Sequence, residues 1–166
     1  MRFNMKYYIA TLLLCASTVN ADVNIVGNVS AKCVIQTTKT GVYGNPTANK
    51  LSTLAADGGV QPIIRYDVAL ADNYLARITH PNSFSSSPAL TDSVAWVGST
   101  VVSQTSDAGM SGYNAAKVVV DNVTQFDLTV AGSTWFTTSS TATYGVSKAF
   151  SGGTYTALVR AECIAK

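Results

Sequence analysis

The chain has one glutamate, Glu162, and one histidine, His80, among 166 residues, and only 12% of it is charged. Thr, Ser, Val, Ala and Gly dominate instead. Strong helix formers are scarce, and the composition suits strands joined by polar turns. With a single histidine, a Ser-His-Asp triad is formally available, but no Gly-x-Ser-x-Gly elbow accompanies it. His80 precedes Pro81 in the Ser-rich run HPNSFSSS (80–87), which reads as a solvated loop histidine. His, Cys and carboxylate residues never gather at ligand spacing, which excludes a metal centre. Asp57, Asp72, Asp92 and Asp107 stand singly at turns, where Asp supports turn geometry, and none has the neighbours a calcium loop requires. Basic runs are absent as well, which argues against nucleic acid and against a polybasic membrane anchor. These absences imply no enzyme, no cofactor and no bound metal.

What is present begins with an export signal. Arg2 and Lys6 give a positive start, Ile9–Ala16 (IATLLLCA) is a short apolar core, and Val19 and Ala21 occupy the −3 and −1 positions of a cleavage site. This is a signal peptide, 1–21, too short to span a membrane. Cys15 is not a lipobox cysteine, because Leu14 stands where a small residue is needed. Loss of Arg2 and Lys6 takes the 11 Lys and Arg to nine, equal to the nine Asp and Glu, so the mature chain is neutral. Two cysteines remain, Cys33 and Cys163. An even count in an exported chain points to a disulfide, with two buried free thiols as the alternative.

The strands follow turn signals. Candidates are Cys33–Thr38, Leu51–Leu54, Ile63–Leu70, Tyr74–Thr79 after a tight Asp72-Asn73 hairpin, and Val94–Val102, with Gly98 marking a bulge or bend. Further on come Lys117–Asp121, Gln125–Val130, the short pieces Trp135-Phe136 and Ala142–Val146, and Thr154–Ile164. Residues 41–49 and 106–114 read as loops. Along the last strand Tyr155, Ala157, Val159, Ala161 and Cys163 share one face. The fold expected is one all-β domain, an antiparallel sandwich.

The most informative stretch is DVNIVGNVSAKC (22–33). Val23, Ile25, Gly27, Val29, Ala31 and Cys33 alternate with mostly polar residues, which makes one apolar row. No turn residue folds this strand onto the chain that follows, so it needs a sheet to join.

VNIVGNVSAKCVI (23–35) resembles the N-terminus of chaperone–usher pilus subunits, and GGTYTALVRAECIAK (152–166) is similar to the Gly-x-Tyr entry into their last strand. The match covers about 28 residues at the two ends. The lone partner for Cys33 in the last strand and the C-terminal Ile164-Ala165-Lys166 indicate a divergent branch. The resemblance implies an immunoglobulin-like sandwich lacking its final strand, which a neighbouring subunit supplies. Residues 22–32 would be the donor extension, with Val23, Ile25, Val29 and Ala31 filling pockets and Gly27 at the tightest approach. Residues 33–166 would be the receiving domain, with Tyr155, Ala157, Val159 and Ala161 on the groove strand. Four such side chains bury roughly 5–10 kcal/mol gross. Implied partners are neighbouring subunits, a periplasmic chaperone, an outer-membrane usher and a host receptor; the implied location is a surface fimbrium.

Two other classes compete. A secreted carbohydrate-binding sandwich would use Tyr43, Trp96, Tyr113, Trp135 and Tyr144 for stacking, with Tyr43 and Tyr113 the exposed ones beside loop glycines. An outer-membrane barrel would need strands of about ten residues and aromatic girdles, and the strands here are shorter and the aromatics few.

Overall fold

The computed structural model describes residues 32–166, in which ten strands form two antiparallel sheets. The first sheet contains β1 (Cys33–Lys39), β2 (Gly44–Thr47), β3 (Lys50–Ser52), β4 (Ile63–Val68), β6 (Val94–Thr105) and β9 (Gly132–Tyr144). The second runs in the order β10 (Arg160–Ala165), β5 (Tyr74–Thr79), β8 (Val123–Leu128) and β7 (Val118–Val120). The all-β sandwich expected from composition is the observed architecture.

β9 is the spine of the first sheet. One of its edges pairs with β6 over most of its length, and the other pairs with β4 (Ile63↔Thr137 to Val68↔Gly132) and then β3 (Lys50↔Thr143 to Ser52↔Thr141). Its 13 residues, GSTWFTTSSTATY, run unbroken through the stretch read from sequence as two short pieces. Thr and aromatic residues fit a half-buried pleat, and alternate positions from Thr134 to Tyr144 are buried.

β4 and β5 are sequence neighbours in different sheets, so Ala69–Asn73 is a corner and not the hairpin the sequence suggested. The reason is that both strands carry an apolar row. Ile64, Tyr66 and Val68 on β4 face Tyr74, Ala76 and Ile78 on β5 across the core, and a two-strand hairpin would leave both rows to water. Asp72 turns this corner at φ 62°, a left-handed conformation that Asp tolerates. Phe126 and Leu128 of β8 and Phe136 of β9 complete the centre. Phe136 packs against Tyr66 with ring centroids 5.3 Å apart and against Phe126 at 4.6 Å.

The loop expected over 106–114 holds a 3-10 turn (Ala108–Met110) and the start of a one-turn helix, α1 (Tyr113–Ala116). Both cover the open side of the sandwich, because Met110 and Tyr113 are buried in the core. The 41–49 loop likewise contains β2 and a Val42↔Val60 bridge. The Val94–Val102 expectation becomes β6, and its irregularity lies between Val102 and Gln104, not at Gly98. Gly98 pairs regularly with Ser140. What demands glycine there is His80, since a Cβ on residue 98 would lie 2.5 Å from the His80 Cγ.

Candidate functional site

The two strands that begin and end the domain lie on the same side of the sandwich, each the outermost of its sheet. Among the described residues β1 pairs only with β4 and β10 only with β5. A disulfide joins Cys33 to Cys163 across the two sheets with a Cα–Cα distance of 6.4 Å, inside the ordinary range for such a bridge. The bond inferred from the cysteine count therefore forms within one chain. It sets the low end of a seam whose walls are β1 and β10.

The registers identify what faces into that seam. Cys33 and Ile35 sit opposite Val68 and Tyr66, and Ala161 and Cys163 opposite Ile78 and Ala76. These partners are core residues, so the β1 and β10 rows point inward as well. Yet Cys33, Ile35, Val159, Ala161 and Cys163 are only half-buried while packed on the core. Beneath them the Tyr66 hydroxyl donates to the Glu162 carbonyl at 3.1 Å and lies 3.4 Å from that of Arg77. Burial pushes the Tyr66 phenol well above its ordinary range. The hydroxyl is a fixed donor here and not an acid.

The last strand is shorter than its sequence pattern. Arg160 pairs with Thr79, the end of β5, and above it β5 gives way to His80-Pro81, which provides no ladder. Residues 154–159 have one Ser86↔Thr156 bridge in place of a ladder. Even so, the face read from sequence persists. Tyr155, Ala157 and Val159 are half-buried while Thr156 and Leu158 are exposed. Tyr155 and Ala157, with Val42 and Leu51, line a depression of about 370 Å³ at the upper end of the seam. The other residues assigned to subunit binding, Val23, Ile25, Gly27, Val29 and Ala31, lie outside the described residues.

His80 is not the solvated loop residue its neighbours suggested. It is 3% exposed. Its Nε2 lies 3.1 Å from the Thr124 hydroxyl and 3.4 Å from that of Thr100, which in turn meets Thr138 at 3.0 Å. Nδ1 is buried and has no hydrogen-bond partner among the described residues. Burial lowers the imidazole pKa; the Ser139 backbone opposes this and the nearby Lys117 charge adds to it. The neutral ring is part of a polar layer inside the sandwich.

The aromatic candidates for sugar stacking are mostly committed elsewhere. Tyr113 and Tyr144 are buried, so the exposure expected of Tyr113 is not observed; its hydroxyl accepts from the Val130 amide at 3.0 Å. Tyr43 is half-buried, bonded through its hydroxyl to Ser140 at 2.9 Å. Trp135 carries the Arg65 guanidinium 5.0 Å from its ring centroid. Trp96 joins a cluster that sequence reading missed: Phe84 touches Trp96, Phe150 and Tyr155 with centroids 4.7, 5.9 and 5.1 Å apart. Phe84 hid in a serine run and Phe150 before a glycine pair, so no periodicity marked them. Together these rings pin the 145–159 segment and position its Tyr155–Val159 face at the seam.

Among the described residues no three His, Cys, Asp or Glu side chains are grouped to hold a metal, and no helix is long and apolar enough to cross a membrane. Set against protein-family models, curated proteins and solved structures, the chain matches none.

Proposed function

We propose that the protein is a structural subunit of a surface fimbrium that polymerises by β-strand addition. The observation that carries this reading is the seam: two outermost strands, a half-buried apolar row (Ile35, Val159, Ala161) between them, and no strand on the outer side of β10 among the described residues. An edge of this kind presents unpaired N–H and C=O groups next to incompletely covered apolar side chains, and an added strand satisfies both. The sequence carries a strand of matching character, Val23 to Ala31, on the N-terminal side of Cys33. It serves a second copy, with residues 22–32 as the extension and Tyr155, Ala157, Val159 and Ala161 as part of the receiving wall. Until the strand arrives, an exposed edge of this kind needs a periplasmic chaperone, and an usher passes the subunit outward to the cell surface. Neighbouring subunits are the principal partners, with a host receptor for the assembled fibre.

The deciding experiment compares the full chain with a variant lacking Asp22–Lys32 by size-exclusion chromatography of periplasmic material. The expected result is polymer or degradation for the full chain and an unstable monomer for the deletion, stabilised by a peptide of residues 22–32. Two equally stable monomers with the same melting temperature overturn the reading.

A further inference from the structure

The outer face of the second sheet holds a cleft of about 790 Å³, inside the size range of small-molecule sites. Strand alternation makes its floor. Ala76 and Ile78 on β5, Phe126 on β8 and Ala161 on β10 face the core, so Arg77, Thr79, Gln125, Arg160 and Glu162, at the positions between, face outward. The registers set the floor in two rows across the strands. Glu162, Arg77 and Gln125 form one, and Arg160, Thr79 and Val123 form the next. Arg77 and Arg160 are therefore diagonal neighbours, a spacing that long side chains bridge.

The rim of the cleft is held in place. The His80 amide donates to the Asn122 carbonyl at 2.7 Å, and the Asn122 side chain donates back to the His80 carbonyl at 2.8 Å. That ties residues 81–83 to the turn after β7. Ser85 and Ser86 bond Thr156, which fixes the approach to Leu158. The guanidinium groups inside are less committed. Among the described residues Arg160 has no carboxylate within salt-bridge distance. The Arg77 Nη1 stands 4.0 Å from the Glu162 Oε2, beyond hydrogen-bond reach, and the Arg77 Nε has no partner among the described residues. A guanidinium presents a fork that matches the two oxygens of a carboxylate, and two such forks share this cleft.

The remaining groups select the ligand. Glu162 and Asp121 also line the cleft, and as carboxylates they accept hydrogen bonds only. A phosphate group, with nearly two negative charges, is repelled by both. A sugar carrying one carboxylate suits both signs, because its acid group takes the arginines while its hydroxyls donate to Glu162 and Asp121. Asn82 and Gln125 add amides that donate and accept. Leu158 before β10 and Val120 on β7, 68% and 60% exposed, offer apolar surface at opposite ends for the C–H faces of sugar rings. We infer that this cleft binds a saccharide bearing a carboxylate, with Arg77 and Arg160 on the acid group. The cleft lies on the face of the sheet and not at its edge, within one chain, so it does not rest on strand addition. If subunits polymerise, each presents a copy and the contacts become multivalent.

Saturation-transfer NMR with the full chain tests this, because the signal is read from the sugar and survives polymerisation of the protein. The probes are glucuronate and N-acetylneuraminate, two kinds of sugar acid, set against glucose, acetate and inorganic phosphate. At least one sugar acid should bind about tenfold more tightly than any of those three, and the one that does assigns the source. Arg160→Gln should weaken that binding about tenfold by removing a charge-assisted fork. Gln125→Glu should do the same by placing a carboxylate opposite Arg77, and that cross-strand pair supports the fold. No binding of either acid, equal binding of glucose, acetate or phosphate, or an unchanged affinity in either folded variant overturns the inference. Circular dichroism of each variant separates a lost site from a lost fold. Size-exclusion chromatography follows polymerisation separately, so a failure here leaves strand addition standing.

Discussion

Gly98→Ala is the smallest change that tests the buried polar layer. The added methyl would lie 2.5 Å from the His80 Cγ and 2.6 Å from its Cβ and Nδ1, far inside van der Waals contact. The ring has nowhere to retreat, because Thr124 and Thr100 hold its other side. Overpacking of this kind costs about 2 kcal/mol, or about 6 °C in melting temperature for a chain of this length. The same substitution in a strand with space would instead stabilise by roughly 0.5–1 kcal/mol, because alanine gives up less backbone freedom than glycine. A double-mutant cycle therefore reads the clash itself. In a His80→Ala background Gly98→Ala should become neutral or favourable, giving a coupling of about 2 kcal/mol measured by urea unfolding. If Gly98→Ala is harmless in the parent, or costs the same in both backgrounds, His80 does not lie on Gly98 and the account of that glycine is wrong.

Three further outcomes follow from geometry. Replacing Cys33 and Cys163 with serine opens a loop of sequence separation 130, and denaturant unfolding should show a loss of about 3–5 kcal/mol. Tyr66→Phe removes the hydroxyl that donates to the Glu162 carbonyl at 3.1 Å, costing about 1–2 kcal/mol in the same assay. For His80, burial depresses the folded-state pKa, so the unfolded chain takes up its proton first. The ring's contribution to stability is complete above about pH 6.5, the unfolded value, and is lost as pH falls from there through the lower folded value. Stability measured from pH 8 to pH 5 should decline below that point, and His80→Asn should flatten the decline whatever it does to the plateau.

Where apolar periodicity was strong, the strands could be read directly: Ile64-Tyr66-Val68 and Phe126-Leu128 mark β4 and β8 without help from their surroundings. β9 broke into two pieces on paper because its inward row becomes polar. Thr138 and Ser140 are buried, satisfied by Thr100 and Tyr43, and no hydrophobic pattern can announce a core built from hydroxyls. His80 was misjudged for the same reason. Its partners Thr100 and Thr124 lie 20 and 44 residues away, whereas its sequence neighbours are a proline and serines. The β4–β5 corner looked like a hairpin because turn chemistry specifies a reversal without saying which sheet receives the returning strand. At the seam, the alternation from Tyr155 to Cys163 was legible and its pairing was not, since pairing depends on where β5 stops.

The Cys33–Cys163 bond has a mechanical consequence. Residues 34–162, nearly the whole domain, lie inside the covalent loop it closes. When the chain is pulled between Lys32 and Lys166, tension passes from Cys33 through the sulfur atoms to Cys163, and the backbone between them carries none of it. Unfolding under force then releases almost no contour length, whereas the reduced chain pays out about 3.4 Å for each of those residues, on the order of 400 Å in all. Oxidised, the molecule is a short inextensible link that keeps its length even when the sheets come apart.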